Sequence, residues 1–103
     1  MGTEHEVVDE KDQHRFTVTV DGTVAELVYR DEGDRLVLVH TGVPDELGGR
    51  GIAGTLVRHA VESAASQGKT VVPWCPYARS WLEEHTDVAA TVEIDWTPPP
   101  PPT

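Results

Sequence analysis

Between residues 35 and 73 the sequence changes its hydrophobic period twice, and this limits the possible folds more than any other feature. Residues 35–41 offer apolar side chains on both faces, Leu36 and Leu38 against Val37 and Val39, as a strand covered on both sides does. From residue 51 to 67 the period becomes helical. Ile52, Leu56, Ala60 and Ala64, with Val57 and Val61 alongside, form an apolar stripe, while Arg58 and Glu62 lie away from it. Gly68 fits the position just past the helix end, and residues 70–73 (Thr, Val, Val, Pro) form a short β-branched run suited to a buried strand. A strand, a long helix and a second strand imply a right-handed crossover, with the two strands parallel. A chain of 103 residues has room for one core around such a unit.

The flanking segments add antiparallel strands before it and a second helix after it. Phe16, Val18 and Val20 alternate with Thr17 and Thr19, and Asp21 and Gly22 then signal a hairpin turn. In the returning run 23–30, Ala25, Leu27 and Tyr29 share one face, and Val24, Glu26 and Val28 share the other. The central strand ends in His40, Thr41, Gly42, Val43 and Pro44, where glycine permits a bulge and proline removes a ladder donor. Pairing with the next strand is expected to fail there. Pro76 suits the first position of a shorter helix running to about His85, with Tyr77, Trp81 and Leu82 carried inward and Cys75 at or next to its N-cap. Residues 88–96 alternate well enough to be read as one last strand, and residues 97–102 as a polyproline tail. The expected class is α+β (mixed α/β), with a flexible or edge segment over 1–14, one domain over 15–96 and a disordered tail over 97–103.

Charge and composition exclude several functions. Eighteen acidic against eight basic side chains give a formal charge of -10, which repels nucleic acid and anionic membranes. The same field suits a basic partner, although an acidic surface is more commonly explained by solubility alone. One cysteine allows neither an internal disulfide nor a cysteine-based zinc site, and the His, Asp, Glu and Cys residues show no metal-ligand spacing, so no metal is expected. There is no run of about 18 apolar residues, and the first 15 residues are too polar for a signal peptide. These features fit a soluble cytoplasmic protein in a reducing compartment.

The long helix begins in a glycine cluster: Leu47, Gly48, Gly49, Arg50, Gly51, Ile52, Ala53, Gly54 and Thr55. Such a start leaves the first helical amides without partners and lets a backbone approach a phosphate, although a plain strand-to-helix turn would also use glycines. Gly49 to Gly54 matches the G-x-G-x-x-G dinucleotide fingerprint letter for letter. The context does not fit it: no acidic residue lies about 20 positions on, where the sequence reads Val72, Pro73, Trp74, Cys75, and repeated βαβ units are lacking. No lysine followed by serine or threonine closes the glycines, so a P-loop is excluded as well.

The order of events — antiparallel strands, a central strand broken near its end, glycine turn, long helix, parallel strand, short helix — resembles the GNAT superfamily of acyl-CoA-dependent N-acetyltransferases. Gly51, Ile52 and Ala53 supply the last three places of that superfamily's signature of arginine or glutamine, two residues, glycine, one residue, then glycine or alanine. With His40 to Pro44 and Val71 to Tyr77, the chain is similar to the small, single-domain group of predicted N-acetyltransferases, over residues 16–85. Three places depart from the pattern. Gly48 stands at the arginine or glutamine, Gly42 where the group often has a glutamate, and His85, Thr86 and Asp87 where it tends to have histidine, proline and glutamate.

The resemblance implies a splayed GNAT-like sheet and acetyl transfer from acetyl-CoA to a primary amine of an unidentified acceptor. The alternative is a non-catalytic module that binds coenzyme A or a partner protein on the same fold. Amides of Gly49, Arg50, Gly51, Ile52, Ala53, Gly54 and Thr55 would hold the pyrophosphate, and the Val43 backbone the pantetheine arm. His40 would be a general base or merely a sheet histidine. Cys75 would accept an acetyl group or line the pantetheine slot. Tyr77 would protonate the departing thiolate or pack under its helix.

Overall fold

A computed structural model describes residues 6–49 and 51–101 of the protein. Five strands, β1 (Val8–Glu10), β2 (Arg15–Val20), β3 (Thr23–Asp31), β4 (Arg35–Gly42) and β5 (Thr70–Pro73), lie in the order β1-β2-β3-β4-β5. The first four pair antiparallel, and only β4 and β5 run parallel. Helix α1 (Ile52–Ser66) makes the crossover between those two, α2 (Pro76–Glu84) follows β5, and α3 (Thr86–Ala89) is a single turn. The expected α+β architecture is therefore the one observed.

Local chemistry explains each junction. Asp21 and Gly22 both have positive φ, 51° and 82°, which the two-residue turn between β2 and β3 requires. At the end of α1 the amide of Lys69 bonds the carbonyl of Ala64 and that of Gly68 bonds Ala65, so glycine beyond the last turn closes the helix in a Schellman motif. The α1 stripe of Ile52, Leu56, Val57, Ala60, Val61 and Ala64 is fully buried. It covers Phe16, Val18, Ala25, Leu27, Leu36 and Leu38 on one face of the sheet. Removing each large apolar side chain from water contributes about 1.5–3 kcal/mol, so this layer holds the helix start in place.

The period-two reading of β4 fails at one residue, with consequences for function. β3 and β4 pair as Tyr29 with Leu38 but Val28 with His40, which leaves Val39 as an extra residue. The break was expected at Gly42, and the bulge lies instead three residues earlier. A bulge changes the alternation beyond it. Leu36 and Leu38 face α1, and so does Thr41 opposite Leu27, whereas His40 and Gly42 pair with Val28 and Glu26 on the other face. Pairing between β4 and β5 stops at Leu38 and Pro73, as the sequence implied, and the last tie is the Cys75 amide on the Leu38 carbonyl at 2.8 Å.

The strand expected over 88–96 is not formed. Residues 86–89 are helical, with Val88 buried in the core. Ala89 and Ala90 favour helix over strand, and β5 offers only four residues to pair with. What remains is one bridge, Val71 to Ile94, with the Val71 amide on the Glu93 carbonyl and the Asp95 amide on the Val71 carbonyl, both 2.9 Å. Tyr77 also departs from expectation: it is 41% exposed and does not share the inward face of Trp81 and Leu82.

Candidate active site

Where β4 and β5 separate, a cleft of about 500 Å³ opens on the α1 side of the sheet. Thr41 and Val43 form one wall, Asp45, Leu47, Gly48 and Gly49 the next, and Gly51, Ile52 and Ala53 at the start of α1 a third, with Tyr77 completing the lining. Pro44 starts a single 3-10 turn, Asp45–Leu47, and Leu47 buries itself in the core. That anchor fixes the glycine run beside the open end of β4.

The glycines serve different purposes. Gly49 and Gly51 have φ of 78° and 74°, a conformation costly for other residues, and Gly51 is the N-cap of α1. No side chain caps that helix, and among the described residues nothing bonds the amides of Ile52, Ala53 and Gly54. A helix start with free amides carries partial positive charge and favours an anion. The Thr55 amide and hydroxyl both turn back to the Gly51 carbonyl, at 3.0 Å each, so Thr55 braces the turn. Gly54 lacks a side chain for another reason: a Cβ there would stand 2.6 Å from Trp81 Nε1, so glycine lets α2 close against α1. A side chain at Gly48 would meet the Asp45 carbonyl at 3.2 Å, too close for an easy fit. Arg50 lies outside the described residues.

Cys75 is the N-cap of α2 and is buried, with Sγ 3.2 Å from Thr41 Oγ1. The N-cap of α2 thus holds a thiol behind the Thr41 wall of the cleft, and the Val39 bulge brings the Thr41 hydroxyl to meet it. Tyr77 lies one turn-position further along, at the rim. Burial, followed by the charges of Glu84 and Cys75, holds its phenol above the ordinary tyrosine range, so it stays protonated at neutral pH. His40 is exposed on the other face, with Nε2 3.5 Å from where a Gly42 Cβ would be. The structure therefore brings Tyr77 together with Val43, Gly49, Gly51, Ile52 and Ala53 around the cleft, leaves the buried Cys75, Gly54 and Thr55 (its amide already bonded to Gly51) outside the lining, and sets His40 behind the open edge of β4. Thr41 and Leu47 were missed as cleft residues, the first because an unseen bulge decides which way it points. His85 caps α2, its Nδ1 2.7 Å from the Trp81 carbonyl while its ring stacks on Trp81 at 3.8 Å.

A second cavity, of about 110 Å³, lies at the far end of β3 beside Asp9, His14, Tyr29 and Lys69. Its carboxylates are engaged, Asp9 by the Tyr29 hydroxyl at 2.6 Å and Asp31 by Lys69 at 2.8 Å. Among the described residues no three of His, Cys, Asp and Glu are placed to hold a metal, and no helix is long and apolar enough to cross a membrane.

The site is thus a mixed sheet splayed beside a helix start that no side chain caps. Residues 15–92 match the family model described as GCN5-related N-acetyl-transferase, and the chain belongs to that family. It is 32% identical over 88 residues to Protein NATD1 of Gallus gallus, spanning 82% of this chain and 80% of that protein. A GCN5-like protein from Staphylococcus aureus, solved by NMR, superposes with a TM-score of 0.68 at 26% identity, covering 93% of this chain and 95% of the other.

Proposed function

We propose that the protein transfers an acetyl group from acetyl-CoA to a primary amine by direct attack, as a cytoplasmic enzyme. The observation that carries this reading is the opening of the β4–β5 seam after Leu38 and Pro73, directly beside the uncapped start of α1. The free amides and positive helix end suit a pyrophosphate, and the unpaired edge of β4 from Thr41 to Val43 suits an amide-bearing arm such as pantetheine. When bound, acetyl-CoA supplies an activated thioester.

The chain's own residues then have defined tasks. His40 takes a proton from the incoming amine. Tyr77, protonated at neutral pH, delivers one to the departing sulfur. Nitrogen forms a bond to the acyl carbon while the carbon–sulfur bond breaks; the amine nitrogen loses two protons in all, one to solvent through His40 and one replaced on sulfur. The buried Cys75 backs the slot wall through its contact with Thr41. A second reading, a module that binds coenzyme A without turnover, draws on Gly42 and Gly48, which offer no side chain for catalysis or phosphate binding.

Thermal stabilisation by acetyl-CoA but not by NAD, with thiol release in the presence of amines, is the expected result. Stabilisation without thiol release from any of a panel of primary amines would favour the binding module. No stabilisation would remove the cofactor from the account. Mass addition of an acetyl group that disappears in Cys75→Ala would instead establish a covalent route.

A further inference from the structure

Behind the open edge of β4, on the sheet face turned away from α1, lies a second groove of about 430 Å³, bounded by Arg15, Val24, Glu26, Gly42, Val43 and Pro44. Val43 borders both this groove and the cleft on the α1 side. The two therefore meet at the end of β4, where β5 no longer closes the sheet.

Register decides what faces this groove. Gly42 pairs with Glu26 of β3, and the bare Cα of Gly42 leaves a space flanked on two sides. A Cβ there would lie 3.6 Å from Glu26 Oε2 and 3.5 Å from His40 Nε2. A carboxylate and an imidazole thus converge on one vacant side-chain position. Glu26 Oε1 accepts from Arg15 Nη1 at 2.9 Å, while Arg15 Nε donates to Glu10 Oε1 at 2.7 Å. One guanidinium is shared by two carboxylates, so the trio carries one surplus negative charge, and Oε2 of Glu26 has no hydrogen-bond partner among the described residues. Val24, 41% exposed, with Val43 and Pro44, gives the groove apolar walls.

We propose that this groove admits the acceptor and that Glu26 Oε2 receives its ammonium group, which selects primary alkylamines with an unbranched aliphatic stem. The inference rests on the acetyl-transfer reading and gives that reaction its acceptor side. The stem lies along Val24, Val43 and Pro44, and the charged head enters the space beside Gly42. There Glu26 holds the cation and His40 takes its proton. Glycine at position 42 is what keeps that space open, and the neighbouring strand provides the carboxylate.

The test is a titration of the CoA-loaded protein, followed by backbone amide resonances. The ligands are n-butylammonium and 2,2,2-trifluoroethylamine, an amine of similar size that is uncharged at pH 8. In the wild type n-butylammonium is expected to shift residues 24–28 and 40–43 saturably. Glu26→Gln, which keeps the bond to Arg15, is expected to weaken it by about 10- to 100-fold, as loss of a charged hydrogen bond does. Binding of trifluoroethylamine should not change. Gly42→Leu, whose Cβ meets its neighbours at ordinary contact distances, fills that space and should weaken n-butylammonium binding by a similar factor with Glu26 intact. Equal n-butylammonium affinity in wild type and Glu26→Gln, or no saturable shift in the wild type, would overturn the proposal. Failure of the coenzyme reading is seen separately, as absence of shifts at residues 49–55 when CoA itself is added.

Discussion

The two halves of β4, Arg-Leu-Val-Leu at 35–38 and His-Thr-Gly at 40–42, do different work. From Arg35 to Leu38 the strand is bonded on both sides, to β3 and to β5, and Leu36, Val37 and Leu38 are buried. From His40 to Gly42 only β3 holds it, and every residue is at least partly open to solvent. Two local events separate the halves: the extra residue Val39, and the turn of β5 into α2 at Pro73 and Cys75. The first half stabilises the fold. The second exchanges stability for an unpaired edge and two accessible faces, as binding regions of proteins commonly do.

Substitutions can break or sharpen this contrast. The largest effect is expected in the paired half, where Leu38→Ala should destabilise by about 2–5 kcal/mol in urea unfolding, through lost burial and a cavity. In the splayed half, His40→Ala should leave the unfolding midpoint almost unchanged but lower kcat for amine acetylation by about 100-fold, the loss typical of a general base. An unchanged kcat would return His40 to a surface role. Gly54→Ala tests the helix that faces the open half; its Cβ would collide with Trp81 and cost about 1–3 kcal/mol, read as a fall in melting temperature. Smallest is Thr41→Val. It removes the contact to Cys75 Sγ on the cleft wall and should change stability by less than about 1 kcal/mol, while weakening acetyl-CoA binding measured by calorimetry.

Much of this frame was legible in the residues. Helical period from Ile52 to Ala64 and β-branching at Val71 and Val72 specified the crossover, because burial on one stripe or both faces leaves a direct mark on sequence. The glycines after Leu47 marked the cleft rim, since positive φ at Gly49 and Gly51 restricts residue choice. What stayed hidden depends on register. Nothing in residues 36–42 shows that Val39 is extra, and so nothing shows that Thr41 points inward while His40 points out. Glu26 reads as an ordinary outward residue of β3 until pairing sets it opposite Gly42. The misread end, residues 88–96, alternates in hydrophobicity, but alternation without a long partner strand gives only the single bridge at Ile94.

The central claim is that the open half of β4 and the start of α1 form one site for a coenzyme A thioester. Titration of acetyl-CoA followed by amide resonances tests it most directly. The account predicts saturable shifts confined to Thr41 and Val43, to Gly49 and residues 51–55, and to Cys75 and Tyr77, with none from NAD at equal concentration. Absence of saturable shifts, or shifts gathered around Asp9, Tyr29 and Lys69 at the far cavity, would contradict it.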